Sequence, residues 1–178
     1  MPGSLHIRKI AFAGAVAALY AALTISIAPL SFGPVQFRLA EALCIMPFFF
    51  PGTAAGLFIG CVFSNLLSPY GVLDIIAGSF ATLLAALCTA RIGRVNRKTP
   101  VIKALACFPP VIINALVIGA VIAWTETSGG SEFRIAFAVN GLQIGLGQLA
   151  VMYIIGMPLM IYLPKLNIFN KLSEQYRL

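Results

Sequence analysis

Arg38 and Glu41 stand three residues apart in a stretch that is otherwise apolar. On a helix, this spacing allows the two side chains to form an ion pair. One interpretation is an ion pair that reaches the lipid headgroups at the edge of a membrane. The other is the polar lining of a cavity that opens towards the outer face. Gln36 and Phe37 lie in the same turn and a half. This crowding favours the cavity, because a simple headgroup anchor does not need a glutamine and a glutamate as well.

Other polar side chains lie in the later apolar segments and could converge on the same cavity. Polar residues inside membrane helices more often join helices than bind ligands. As a set they are candidate ligand-binding residues, because most of them are predicted to lie in the outer half of the membrane. These candidates are Asn65, Asp74, Asn114, Asn140, Gln143 and Gln148.

The sequence has none of the common catalytic or metal-binding motifs. It has no phosphate-binding loop of the G-x-x-x-x-G-K-[ST] type and no pattern that pairs a nucleophile with a base. The single histidine and the four scattered cysteines lack the spacing of metal ligands, and no cysteine lies in a loop suited to a disulfide. The chain is therefore predicted not to be an enzyme and to hold no metal or cofactor.

Composition places these residues in a membrane. Of the 178 residues, 60% are hydrophobic and 10% are charged, whereas a soluble domain has about 25% charged residues. Apolar runs near the length of a spanning helix recur along the chain. They predict an all-α integral membrane protein that forms one domain over residues 1–178. The six predicted helices cover about residues 10–30, 35–50, 53–67, 72–92, 102–124 and 133–163.

The charged residues predict the orientation of this bundle. Ten of the twelve basic residues fall in three groups that six helices place on one side, so the N and C termini are predicted to be cytoplasmic. This arrangement explains the net charge of +7 without a nucleic-acid partner. The basic groups are Arg8 and Lys9; Arg91, Arg94, Arg97, Lys98 and Lys103; and Lys165, Lys171 and Arg177. Four of the five acidic residues are predicted to face outward: Glu41, Asp74, Glu126 and Glu132.

The first predicted helix carries two rows of small residues with a spacing of four. Such rows allow a second helix to approach closely. They serve either packing within the bundle or the docking of a separate protein, and the helix has more small residues than one internal contact needs. The rows are Ala13, Ala17 and Ala21, and Gly14, Ala18 and Ala22.

Three segments, ALYAALTISIAPLSFGPVQFRLAEAL, PYGVLDIIAGSFATLLAAL and PPVIINALVIG, resemble the QueT family, and the resemblance runs from about Arg8 to Leu163. Members of that family are substrate-binding S-components of energy-coupling-factor (ECF) transporters assigned to queuosine precursors. The resemblance implies a six-helix S-component in a prokaryotic plasma membrane. It implies capture of a 7-deazaguanine such as preQ0, preQ1 or queuine from outside. It also implies that the small-residue face docks onto a membrane coupling protein, EcfT, driven by two cytosolic ATPases.

The chemistry of a 7-deazaguanine suggests roles for the candidate residues. The base presents N–H donors beside a carbonyl acceptor, so Glu41 could accept hydrogen bonds from the donors. Asn65, Asn114 or Gln148 could donate to the carbonyl, and Arg38 could contact the ligand or hold Glu41. Phe37 or Trp124 could stack on the ring, a contact worth about 1–3 kcal/mol.

Three alternatives stay open at this point. The chain could be an S-component for a different vitamin, or a structural membrane protein whose polar residues only join helices. It could also be a membrane enzyme acting on lipid with Glu41 or Asp74 as base, although no nucleophile or metal ligand accompanies them.

Overall fold

The computed structural model describes residues 2–33, 35–95 and 99–176, which form helices, turns and loops and contain no β-strand. Four of the helices, α1, α4, α5 and α6, are long and apolar enough to cross a membrane, and α2 and α3 are shorter apolar helices. The helices are α1 (Pro2–Ser26), α2 (Leu39–Phe49), α3 (Thr53–Asn65), α4 (Gly71–Ile92), α5 (Pro100–Thr127), α6 (Phe133–Lys165) and α7 (Asn167–Tyr176). The predicted all-helical membrane bundle is therefore confirmed. Arg97, Lys98 and Arg177, which were used to predict orientation, lie outside the described residues.

Several helices depart from regular α geometry near the predicted site. Helix α2 runs as a 3₁₀ helix over Leu39–Ile45 and ends in a single α turn, Met46–Phe49. Helix α4 contains a π-helical turn over Asp74–Gly78, and α6 contains one over Val151–Gly156. Such turns are rare inside helices and often occur at functional sites.

The helices pack both against neighbours in the chain and against helices distant in sequence. Helix α5 packs along α6, where Gly119 lies against the backbone of Gly141. Helix α3 packs between α1 and α4, and α4 also contacts α5. Helix α2 lies within this arrangement and contacts α1, α4 and the π-helical turn of α6. The short α2 therefore brings its polar residues into the interior of the bundle.

The two rows of small residues on α1 have different surroundings. Gly56 and Gly60 of α3 lie against Ala13 and Ala17, and a Cβ on Gly60 would stand 2.6 Å from the Ala17 carbonyl oxygen. The row of Gly14, Ala18 and Ala22 is exposed. Of the six residues predicted to dock a partner, Ala13 and Ala17 thus pack inside the bundle. Ala21, in the same row, is half-buried.

We expect Gly56→Ala to destabilise the protein by about 1–3 kcal/mol, because the added methyl group would overlap the Ala13 backbone and push α1 away from α3. Gly14→Ala is the matched control, since nothing lies within 4 Å of a Cβ at this position. Its stability should stay within about 1 kcal/mol of the wild type. Thermal unfolding of the detergent-purified protein measures both effects. Equal midpoints for the two variants would contradict the close α1–α3 contact.

Contacts between helix ends define two ends of the bundle. Phe49 and Phe50 pack on Phe169 of α7, and Gly93 after α4 lies against the backbone of Phe48. We call this the basic end, because Arg91, Arg94, Lys165 and Lys171 lie in the adjoining segments. The opposite end, the acidic end, brings together Phe32, Tyr70, Glu126 and Glu132.

Candidate functional site

The buried carboxylate of Glu41 is the centre of a polar cluster inside the bundle. The Tyr20 hydroxyl donates a hydrogen bond to Glu41 Oε1, and the Cys44 thiol donates to Oε2 at 3.2 Å. Gln148 Nε2 lies 3.3 Å from Oε2, and Thr82 Oγ1 lies 3.5 Å from Oε1. The last two distances are at the long end for hydrogen bonds. Helices α1, α2, α4 and α6 thus converge on one carboxylate.

Arg38 forms its ion pair with Asp74 rather than with Glu41. The Nη2 atom of Arg38 lies 3.9 Å from Asp74 Oδ2, and both side chains are buried. The predicted i, i+3 pair between Arg38 and Glu41 is wrong because it assumed an α-helix. Arg38 instead has extended backbone angles (φ −90°, ψ 95°) and precedes a 3₁₀ helix, so the α-helical i, i+3 geometry does not apply to it.

A second network surrounds Asp74 in the π-helical turn of α4. Ser68 donates to Asp74 Oδ2 at 2.6 Å, and Asn65 Nδ2 donates to the Asp74 carbonyl oxygen at 2.9 Å. Gly78 leaves the space for this arrangement, since a Cβ there would stand 2.6 Å from Asp74 Oδ1. Cys61 connects the two networks, because its sulfur lies 3.4 Å from Thr82 Oγ1 and 3.5 Å from Asn65 Nδ2.

Several buried polar atoms in this region have no hydrogen-bond partner within the protein. The side chains of Gln36 and Asn114 are 4% and 5% exposed, and Gln36 Nε2 and Asn114 Oδ1 are unpaired. Buried polar atoms are nearly always paired, so each exception needs an explanation. The other unpaired atoms of the cluster are Arg38 Nε and Nη2, Asn65 Oδ1, Asp74 Oδ1 and Ser79 Oγ.

A small cavity adjoins Glu41, and we call it the inner cavity. Its volume is about 10 Å³, which is room for about one water molecule. Drug-sized ligands occupy pockets of about 300–1,000 Å³, so the inner cavity has to widen before it can hold a bicyclic base. It is lined by Gln36, Arg38, Glu41, Asn114, Ile118, Ile144 and Gln148.

The segment that carries Gln36 and Arg38 has an unusual backbone. Gln36 has a positive φ of 44°, which is sterically unfavourable for a residue with a side chain. The preceding Val35 carbonyl oxygen lies against Gly147 of α6, where a Cβ would overlap it. A close contact with α6 thus accompanies the strained segment next to the inner cavity. Strained backbone of this kind often occurs at functional sites.

A larger space, which we call the vestibule, lies at the acidic end. It has a volume of about 620 Å³ and is lined in part by Phe32, Tyr70, Glu126, Glu132 and Asn140. Asn140 Nδ2 donates to Glu126 Oε2 at 2.7 Å and fixes that carboxylate. Burial, followed by the carboxylates of Glu126 and Asp74, raises the pKa of the Tyr70 phenol. Tyr70 is therefore neutral at pH 7.

The vestibule and the inner cavity are neighbours along α6. Asn140 and Gln143 line the vestibule, and Ile144 and Gln148 line the inner cavity one turn further on. The Arg38 guanidinium, which lines the inner cavity, lies 5.1 Å from the ring centre of Phe32, which lines the vestibule. The vestibule is thus the space adjacent to the inner cavity on the side of the acidic end.

The structure separates the predicted site residues into groups. Asn65 and Asp74 belong to the network behind Arg38. Phe37 is half-buried and lines neither space. Trp124 is 55% exposed and packs edge-on against Phe133, with ring centres 6.2 Å apart, so it is not positioned to stack on a base in the inner cavity. Five of the eleven predicted residues line the inner cavity, namely Gln36, Arg38, Glu41, Asn114 and Gln148, and two, Asn140 and Gln143, line the vestibule.

Sequence reasoning missed five members of the two networks, namely Tyr20, Cys44, Cys61, Ser68 and Thr82. Tyr20 is fully buried and donates to Glu41, and it is the only side chain able to hydrogen-bond between Lys9 and Thr24. That isolation was a usable signal. Cys61 and Thr82 carried no such signal, because cysteine and threonine are common at helix contacts in membranes. Within the part of the chain that the structure describes, no group of three or more His, Cys, Asp or Glu residues could hold a metal ion.

Comparison with known proteins gives two matches to the same family. Residues 10–165 match the sequence profile of the QueT transporter family. Over 71 residues the chain is 41% identical to the queuosine precursor transporter QueT of Lactococcus lactis subsp. cremoris (strain MG1363). That alignment covers 39% of this chain and 41% of the relative. No solved structure matches the chain significantly.

Proposed function

The chain belongs to the QueT transporter family, and from this premise we propose that it is the substrate-binding S-component of an ECF importer for a 7-deazaguanine queuosine precursor. The family is one of transporters and not of enzymes. With its four long apolar helices, the chain is a multi-pass protein of a prokaryotic plasma membrane. The coupling to ATP hydrolysis and the identity of the substrate are the proposed part.

The observation that carries the proposal is the set of unpaired polar atoms around Glu41. The inner cavity presents the Glu41 carboxylate and Asn114 Oδ1 as acceptors, and Gln36 Nε2 as a donor. A 7-deazaguanine offers the complement, with a ring N–H and an exocyclic amine as donors beside a carbonyl acceptor. The donors without a hydrogen-bond partner are Gln36 Nε2 and the Nε and Nη2 atoms of Arg38, whereas Asn65 already donates to Asp74 and Gln148 to Glu41.

Binding requires that the inner cavity widen, and Gln148 is the side chain best placed to move. Its contact with Glu41 is long, at 3.3 Å, so the N–H groups of a ligand would replace it at little cost. The contact occupies the side of Glu41 that faces the inner cavity. A ligand that displaces Gln148 would thus take its place beside Glu41.

The proposed orientation places the acidic end outside the cell and both termini in the cytoplasm. The basic residues at the opposite end support this orientation through the positive-inside rule. The vestibule would then collect the ligand from outside. In this arrangement α2 and α3 would be the two short spans of a six-helix bundle that forms one domain.

The exposed face of α1, formed by Gly14, Ala18 and Ala22, is the proposed contact with EcfT, whose two ATPases would drive the transport cycle. We expect Ala18→Leu to lower co-purification with this coupling module by about tenfold or more, because a bulky side chain keeps a second helix away. Ligand binding should be unchanged. Ala55→Leu on the exposed face of α3 is the matched control. Equal loss in both variants would exclude α1 as the specific contact.

The experiment that tests the proposed function is thermal stabilisation of the detergent-purified protein by a panel of 7-deazaguanines and common vitamins. A ligand at about 100 times its dissociation constant adds about 2.7 kcal/mol of stability. Stabilisation by a deazaguanine supports the proposal. Stabilisation by another vitamin alone would support the S-component role but reject the deazaguanine as substrate. No stabilisation by any compound would favour a structural role for the cluster.

A further inference from the structure

The buried polar cluster does not balance its own charge. Glu41 and Asp74 contribute two formal negative charges and Arg38 one positive charge, and all three side chains are at least 95% buried. Arg38 pairs with Asp74. The hydrogen-bonding neighbours of Glu41 are all neutral, namely a phenol, a thiol, a hydroxyl and an amide, and the nearest cation, Arg38, lines the same inner cavity without contacting Glu41 within 4 Å. The three formal charges leave one negative charge over, and excess buried charge is costly, so the cluster favours a cationic ligand over a neutral one.

The lining of the vestibule also carries net negative charge. Glu126 and Glu132 line it, and no Lys or Arg among the described residues does so. Arg134, the nearest basic residue in the sequence, is exposed and lies outside the lining. Asn140 holds Glu126 at 2.7 Å with its carboxylate against the vestibule. A cation in the vestibule would therefore meet a favourable potential, whereas Arg38 lines the inner cavity beyond it.

The shape of a 7-deazaguanine allows one molecule to face both the inner cavity and the vestibule. Its hydrogen-bonding edge and the substituent on carbon 7 lie on opposite sides of the ring system. When the edge contacts Glu41, Gln36 and Asn114 in the inner cavity, the substituent points towards the vestibule. The vestibule begins one turn along α6, at Asn140 and Gln143. The carboxylate of Glu126 contacts that turn directly, because it accepts a hydrogen bond from Asn140.

We propose that the site selects 7-deazaguanines whose 7-substituent carries a protonated amine, with Glu126 as the residue that recognises this ammonium group. The proposal rests on the proposed function and adds a substrate class and a specificity-determining residue to it. A neutral nitrile at the same position would lack this contact.

The test is isothermal titration calorimetry of the detergent-purified full chain with 7-aminomethyl-7-deazaguanine and 7-cyano-7-deazaguanine. We expect the aminomethyl compound to bind about tenfold or more tightly than the cyano compound at low salt. This ratio should fall as the salt concentration rises. Glu126→Gln should reduce the ratio to about twofold or less while the affinity for the cyano compound stays the same. Because glutamine can still accept from Asn140, the variant removes only the charge.

Glu174→Gln, an exposed acidic residue of α7 at the basic end, is the matched control and should keep the wild-type ratio. Equal affinities for the two compounds, or tighter binding of the nitrile, would overturn this inference and leave the proposed function intact. A ratio that survives Glu126→Gln would overturn the role of Glu126. Binding of neither compound would overturn the proposed function itself, and with it the inference.

Discussion

Replacing Glu41 with glutamine should weaken the binding of a 7-deazaguanine by more than 100-fold. The carboxylate accepts two N–H groups of the base, whereas the glutamine amide offers one acceptor and turns a donor towards the ligand. A buried N–H left without an acceptor, together with the lost charge, costs about 3 kcal/mol, which corresponds to about two powers of ten in the dissociation constant. Calorimetric titration of the variant and the wild type measures the change.

The same substitution should leave the ligand-free protein at least as stable as the wild type. Glu41 is 1% exposed and has no cationic group within 4 Å among the described residues, so a neutral amide of similar shape removes a desolvation cost. Thermal unfolding without ligand checks this expectation. A variant that binds normally would exclude Glu41 from the site. A variant that both binds poorly and unfolds early would indicate a structural carboxylate, and Glu174→Gln should change neither property.

The membrane bundle was predictable because the long apolar runs leave few alternatives. Helices α1, α4, α5 and α6 overlap four of the predicted spans, since a run of about 20 apolar residues has to avoid water along its whole length. The boundaries were less predictable. The first predicted span continued to residue 30, but α1 ends at Ser26, where a bend and a one-turn helix, Ala28–Ser31, follow.

The lining of the inner cavity was predictable for a related reason. A polar side chain such as Asn114 or Gln148 in an apolar helix faces the interior, because lipid offers it no hydrogen bond. The same reasoning does not extend to Trp124, near the end of α5. Tryptophan is enriched at the membrane–water interface, and Trp124 is exposed beside the loop that follows.

The partner of Arg38 was not predictable, because it depends on local backbone geometry. The helical spacing of Arg38 and Glu41 indicated a pair, but α2 is a 3₁₀ helix in this segment. The preceding segment also makes a contact distant in sequence, because Val35 lies against Gly147 of α6. The two rows of small residues on α1 are a second case in which the sequence alone does not show which contacts form. They look equivalent in the sequence, and the position of Gly56 and Gly60 decides which row is internal.

The pairing of Arg38 with Asp74 predicts a large, non-additive effect on stability. Asp74→Asn removes the direct ion-pair partner of buried Arg38, and Arg38→Met leaves two buried carboxylates without a cation. Removing a single partner of a buried ion pair costs about 3–5 kcal/mol. The double variant removes both charges of the pair. Its loss of unfolding free energy should therefore be smaller, by about 2 kcal/mol or more, than the sum of the losses in the two single variants.

Thermal unfolding of the four ligand-free proteins completes this double-mutant cycle. Asn at position 74 can still accept a hydrogen bond from Ser68, which lies 2.6 Å from Asp74 Oδ2, so Asp74→Asn tests charge rather than hydrogen bonding. Gln36→Ala is a suitable comparison, since it removes a buried polar group next to Arg38 without changing charge. Its loss should simply add to that of Asp74→Asn. If the losses for Arg38→Met and Asp74→Asn also add, the 3.9 Å contact is not an energetic pair, and the two charges are then stabilised independently by their separate surroundings.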